Sequence, residues 1–213
     1  MASYTFYAAT GDGFLASTAP DWASCQSGSG VIASDDSTTA SVGTTFLDLT
    51  SVGGGYSYSA YQYFLAFPTA SIPDDDTVTA ATLSLWCQSK VGGGEWSVEA
   101  VAYNWGGTLE TSDWRSGAAY GGLTVRASRS ISAITTGQYN ALASSSLAAA
   151  VSRTASTLLL VCSSQFDGIS PGGYDFASFH TADQTGTTSD PKLEVTTTDT
   201  PPSGSAPQIL WIL

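Results

Sequence analysis

From residue 4 to residue 198, short runs of alternating apolar and polar side chains follow one another, separated by Gly, Asp, Ser and Pro. A period of two puts successive side chains on opposite faces of an extended chain, so this pattern selects strands over helices. The runs 4–10 (YTFYAAT) and 14–18 (FLAST) flank Gly11-Asp12-Gly13, a turn signal. Residues 61–69 (YQYFLAFPT) are apolar on both faces, as a central strand requires. In 77–90, Leu83, Leu85 and Cys87 share a face. Gly92-Gly93-Gly94 then leads into 96–104, where Trp96, Val98, Ala100 and Ala102 share one. This predicts a hairpin of 77–90 with 96–104. Further strands are expected at 122–132, 157–164, 174–181 and 192–198. Residues 19–60 read as long loops with a short strand near Phe46-Leu47-Asp48-Leu49. An Ala-rich stretch is the helix candidate, with Tyr139, Leu142, Leu147 and Val151 along one side and Thr135 or Thr136 as cap.

Many short strands, frequent turns and one short helix predict an all-β chain, a jelly-roll-type, two-sheet antiparallel sandwich. No period of about 20–50 residues repeats, which argues against a solenoid or propeller. One domain is expected over 1–198. After it, 199–213 reads as a Pro/Gly/Ser linker ending in Ile209, Leu210, Trp211, Ile212 and Leu213. Such an apolar run is a hazard in water, so it is expected to dock on a neighbouring subunit.

Hydrophobic residues are 42% of the 213, enough for a full core, while charged residues are only 11%. Ser, Thr, Gly and Ala carry the surface instead, and burying such side chains costs little rotamer entropy. Net charge is −12, with six scattered basic residues. That excludes nucleic-acid binding, which needs Lys and Arg to neutralise phosphates, and docking on acidic membranes. No stretch has the roughly 20 apolar residues of a spanning helix. The start, Met1-Ala2-Ser3-Tyr4-Thr5-Phe6, lacks the basic-then-apolar pattern of a secretory leader, so the expectation is a protein made in the cytoplasm or one with its signal removed, and Met1 favours the first. Three cysteines give no complete disulfide framework. Cys87 and Cys162 lie in apolar strand runs, either as buried thiols or as a bridge between adjacent strands.

From residue 61 onward the chain resembles the DNRLRE-type domain, a β-sandwich related to carbohydrate-binding modules of the disaggregatase kind. Phe64-Leu65-Ala66-Phe67-Pro68-Thr69-Ala70-Ser71-Ile72-Pro73 and then Val78, Ala81, Leu83 and Leu85 are similar to the family's L-x-F-D-x-S-x-I-P … V-x-x-A-x-L-x-L signature. Val98 to Trp105, followed by Trp114, resembles the next strand and Trp region. Phe179-His180-Thr181-Ala182-Asp183 with Pro191-Lys192-Leu193-Glu194-Val195 resembles the closing F-x-S-x-E … P-x-L-x-V pattern. Pro68 stands where the family usually has Asp, and Asp183 where it often has Glu. The likeness covers about two thirds of the chain, mainly at core and turn positions. It implies a fold rather than a ligand site, and phage structural proteins and secreted wall-associated proteins are where such domains occur.

Chemistry-bearing motifs are sparse. His180 is the one histidine, and no Gly-x-Ser-x-Gly elbow is present. Asp74-Asp75-Asp76 and Asp35-Asp36 have no calcium-loop spacing and read as solvated turns. The sequence therefore predicts no catalytic, cofactor-binding or metal residues. Among the aromatics, Tyr56, Tyr58, Trp105 and Trp114 lie in loop-like context, where rings stack on sugars or anchor protein contacts. The expectation is a non-enzymatic phage virion protein, a capsid decoration or tail subunit that self-associates or joins other virion subunits. A glycan-binding module, in an extracellular setting, is the alternative.

Overall fold

The computed structural model describes residues 1–168, 170–186 and 188–198. Twelve strands pair antiparallel into one continuous curled sheet. They are β1 (Ala2–Tyr7), β2 (Gly13–Ala19), β3 (Ile32–Ser34), β4 (Thr39–Asp48), β5 (Tyr56–Phe67) and β6 (Thr77–Val91), then β7 (Ser97–Ala102), β8 (Val125–Ser130), β9 (Gln138–Ala143), β10 (Thr157–Ser163), β11 (Tyr174–His180) and β12 (Lys192–Thr198). The main order is β1-β12-β6-β11-β4-β5-β10-β7-β8; β9 lies along β6, β2 along β5 and β3 along β2. Three short helices, α1 (Trp22–Ser27), α2 (Gly117–Gly121) and α3 (Ser145–Ala148), decorate it. The all-β expectation holds at this level.

The two longest strands set the curl. β5 pairs with β4 at its start, with β2 in its middle and with β10 at its end. β6 pairs with β12 in its first half and β11 in its last, while β9 takes its other edge. Each long strand therefore serves two neighbourhoods, and the sheet curls around the inner core, so that two stretches of it can be named as walls. One contains β2, β5, β10, β7 and β8; the other contains β1, β12, β6, β9 and β11.

The predicted hairpin of 77–90 with 96–104 does not form. β7 pairs with β10 and β8, and β6 with β12, β11 and β9. The two strands share one core without pairing: Leu83, Leu85 and Cys87 of β6 and Trp96, Val98 and Ala100 at β7 all belong to it. Shared-face patterns are the same for strands side by side and strands face to face, so alternation alone does not separate them. The connection turns at Gly92, at φ +92°, where an added Cβ would sit 2.3 Å from the Tyr174 carbonyl.

Two further expectations are corrected. Residues 138–143 are strand, not helix: Asn140 and Leu142 point inward, and the Asn140 side chain bonds both the N–H and the carbonyl of Thr135. Helix is confined to α3, capped by the Ser144 hydroxyl on the Ser146 N–H. Residues 19–60 hold α1, β3, the ten-residue β4 and the start of β5 rather than long loops. The strand signal of β4 is faint because its inward face is Ala40 and Val42 and its outward face Ser41 and Gly43.

The core is double. Tyr63, Leu65 and Phe67 of β5, with Leu159 and Val161 of β10, point between the walls. Their alternates Phe64, Ala66, Leu160 and Cys162 point to the outside of the first wall. There Trp105, Leu109, Phe166, Cys25 of α1 and Tyr120 of α2 cover them. Cys87 lies in the inner core and Cys162 in the outer one, so no bridge joins them, and all three thiols are free. Asp76, in the acidic turn before β6, is buried and accepts from the Thr197 hydroxyl at 2.6 Å. Arg153 holds the Asp74 and Asp76 carbonyls. Asp74 and Asp75 are exposed, as a solvated turn requires, and Asp76 alone is built into the corner.

Candidate functional site

A half-buried sheet needs one apolar face; a second apolar face needs a cover. β5, β10 and β7 have both and receive the outer core. β6, β9, β11 and β12 give Leu83, Leu85, Leu142, Phe179, Leu193 and Val195 to the inner core, and neither core includes Trp86, Tyr139, His180 or Lys192. The outer surface of that wall is left as a bare aromatic and hydroxylic face.

Its geometry follows from register. Trp86 of β6 pairs directly with Tyr139 of β9, and the rings meet edge to face at 5.3 Å. The indole also lies 6.3 Å from the His180 imidazole, nearly parallel at 27°. Lys192 of β12 pairs with Tyr7 of β1 on one side and Ser84 of β6 on the other. Its ammonium sits 5.0 Å over the Tyr139 ring and 3.4 Å from Glu194, on the same strand. Trp86, Tyr139, His180 and Lys192 are half-buried, while Tyr7 is exposed.

The loop between β11 and β12 backs this platform. The Tyr139 hydroxyl donates to the Asp190 carbonyl at 2.9 Å, and His180 Nδ1 lies 2.8 Å from the Ser189 hydroxyl. Burial lowers the pKa of His180, so the ring is neutral at neutral pH. Burial, then the acidic neighbourhood of Tyr7, Asp190 and Glu194, pushes the Tyr139 hydroxyl up to about 12, which keeps it a donor. Ser189 beside a neutral histidine is part of a nucleophile–base arrangement. The usual third member is missing: among the described residues no carboxylate hydrogen-bonds the other ring nitrogen, and Ser189 is itself buried.

The four rings singled out from sequence divide. Trp105 is 3% exposed, edge-on to Phe64 at 5.8 Å, and belongs to the outer core rather than to a surface. Trp114 is half-buried against Phe166 at 5.4 Å, and its indole N–H donates to the Gln26 carbonyl at 3.1 Å. Tyr56 is exposed, while Tyr58 is half-buried against the outer core. With Phe46 at 5.6 and 5.0 Å they make an aromatic tip at the end of the β4–β5 hairpin, beside the exposed Leu47 and Val52. The tail residues Ile209, Leu210, Trp211, Ile212 and Leu213 lie outside the described residues. The bare platform was harder to find, because Trp86 and Tyr139 are single aromatics at polar-face positions. The signal was Trp86 standing out of phase with Leu83, Leu85 and Cys87.

Elsewhere, a cleft of about 500 Å³ opens where β6 crosses to β7, lined by Gly93, Gly94, Glu95, Trp96, Ser97, Ser130, Ser132 and Ser164. Glu95 is its one ionisable lining group, so it offers no acid–base pair. Among the described residues no three His, Cys, Asp or Glu side chains are placed to hold a metal ion, and no helix is long and apolar enough to cross a membrane. No family model and no curated protein matches this chain.

Proposed function

We propose that this chain is a non-enzymatic contact domain of a virion, a capsid-decoration or tail subunit built as a jelly-roll-type, two-sheet sandwich. It engages a second copy of itself or a neighbouring subunit through the bare wall. One observation carries the reading: the outer face of one wall is sealed by a second core, while the opposite face is left open with Trp86, Tyr139 and His180 set rigidly together. Rings held by strand register lose little freedom when a partner covers them, and aromatic residues of this kind dominate contact energies. The scarcity of long charged side chains lowers the entropy cost of covering the rest. The virion setting rests on the resemblance to DNRLRE-type domains.

The same wall also supports a glycan-binding reading, because the rings are bordered by hydroxyls and by the compensated Lys192–Glu194 pair. Sedimentation of the full chain, wild type against Trp86→Ala/Tyr139→Ala, tests the first reading. Concentration-dependent association that the double variant loses supports it; a monomer at every concentration, with no uptake into particles, refutes it. Glycan-array binding lost in the same variant selects the second reading.

A further inference from the structure

The turn Gly11-Asp12-Gly13, between β1 and β2, carries a carboxylate with no solvent exposure. Two elements close on it. Tyr63 of β5 donates its hydroxyl to Asp12 Oδ2 at 2.7 Å. The N–H of Ala182, in the β11–β12 loop, donates to both carboxylate oxygens at 3.1 and 3.3 Å. The Tyr63 hydroxyl also lies 3.2 Å from the carbonyl of His180, at the end of β11.

The charged groups facing this point are acidic. Asp183 and Asp190 come from the β11–β12 loop, and Asp35 and Asp36, between β3 and β4, face Asp183. Asp190 is 4% exposed, and its Oδ1 has no hydrogen-bond partner; neither has Asp183 Oδ2. Among the described residues no Lys or Arg pairs with Asp12, and no metal-ready group exists. His180 is held neutral by burial, and burial keeps the Tyr63 phenol protonated. Buried carboxylates without a cation need a proton. Burial pushes Asp12 up to about 7; the bonds from Tyr63 and Ala182 oppose this, and the charges of Asp183 and Asp190 reinforce it. Asp183 and Asp190 shift up for the same reasons.

We infer that the Gly11–Gly13 turn and the loop residues Ala182, Asp183, Ser189 and Asp190 form a proton-operated latch, tight while Asp12 is protonated and loosened when the proton leaves. The loop supplies Ser189 to His180 and the Asp190 carbonyl to Tyr139, so the latch sets how firmly the bare wall is backed. This consequence rests on the contact role proposed for that wall; the latch itself does not.

The direction follows from linkage. An acid whose pKa is raised by folding stabilises the fold at low pH, and that contribution declines as pH rises towards the folded value near 7. His180, lowered by folding, works the opposite way below its ordinary value. Replacing Asp12 by Asn isolates the first effect. Between pH 5 and 8 the unfolding constant of the wild type should rise about a hundredfold relative to that of Asp12→Asn.

The test is a pH titration of the full chain, following the Asp12 side-chain carboxyl carbon by NMR, with the resonance assigned by its loss in Asp12→Asn. A midpoint near 7, with unfolding constants that diverge as stated, supports the latch. A midpoint below about 5, or parallel stability profiles, overturns it. Stabilisation by calcium chloride that erases the pH dependence also overturns it, since a cation would then be the neutralising group. The carboxyl titration needs no variant to fold. If the titration holds while Trp86→Ala/Tyr139→Ala leaves association unchanged, the contact reading fails and the latch stands.

Discussion

The outer faces of the two walls hold their aromatic rings in opposite ways. On the β5–β10–β7 wall, Phe64 is sealed under Trp105, Phe166, Cys25 of α1 and Tyr120 of α2. On the β6–β9–β12 wall, Trp86, Tyr139 and Tyr7 meet solvent among Ser84, Lys192 and His180. The difference is in the residues between the rings. Leu160, Val101 and Ala66 make the first face apolar throughout, and such a face must be covered. Lys192 and Glu194 make the second tolerable in water. Rings set in a polar frame can wait uncovered for a partner; rings set in an apolar one cannot.

Substitutions sharpen the contrast. The largest effect is expected at Phe166, fully buried and touching Trp22, Trp114 and Tyr120 edge-on. Phe166→Ala should cost about 3–5 kcal/mol in denaturant unfolding, as for other deep aromatic truncations. Leu85→Ala, in the inner core shared by both walls, should cost about 2–5 kcal/mol by the same measurement. A loss at Phe166 as small as that of a surface change would show that the outer core is only loosely packed. On the bare wall, Trp86→Ala should cost less than any of these while removing association, a separation that melting and sedimentation together resolve. Smallest is Lys192→Gln, about 0.2–1 kcal/mol for a half-exposed pair with Glu194, and fading with added salt.

Much of the inner core was legible in the sequence, and the reason is physical. Leu83, Leu85 and Cys87 alternate with residues outside both cores because only one face of β6 is covered, and Val98 and Ala100 flank the half-buried Glu99. The strands at 157–163, 174–180 and 192–198 were readable for the same cause or from their continuous apolar runs. Partnering was not legible: alternation reports which face is buried, not which strand lies alongside, and so the crossing from β6 to β7 read as a hairpin. β4 was dim because small residues on both faces give little contrast, and β9 was masked because alanines fit either period. The outer core misled the reading of Trp105 and Trp114. Both follow turn-like segments in sequence, yet the apolar second face of β5 and β10 draws them in. Trp86 was the inverse case, a large ring within a strong strand that points out.

Oxidative footprinting of the full chain at rising concentration tests the central claim most directly, because it reads each ring separately. The account predicts that Trp86 and Tyr139 become protected as the chain associates or enters a particle, while Tyr56 at the hairpin tip stays reactive and Trp105 stays shielded throughout. Protection of Tyr56 with Trp86 unchanged would contradict it and move the contact surface to the β4–β5 tip.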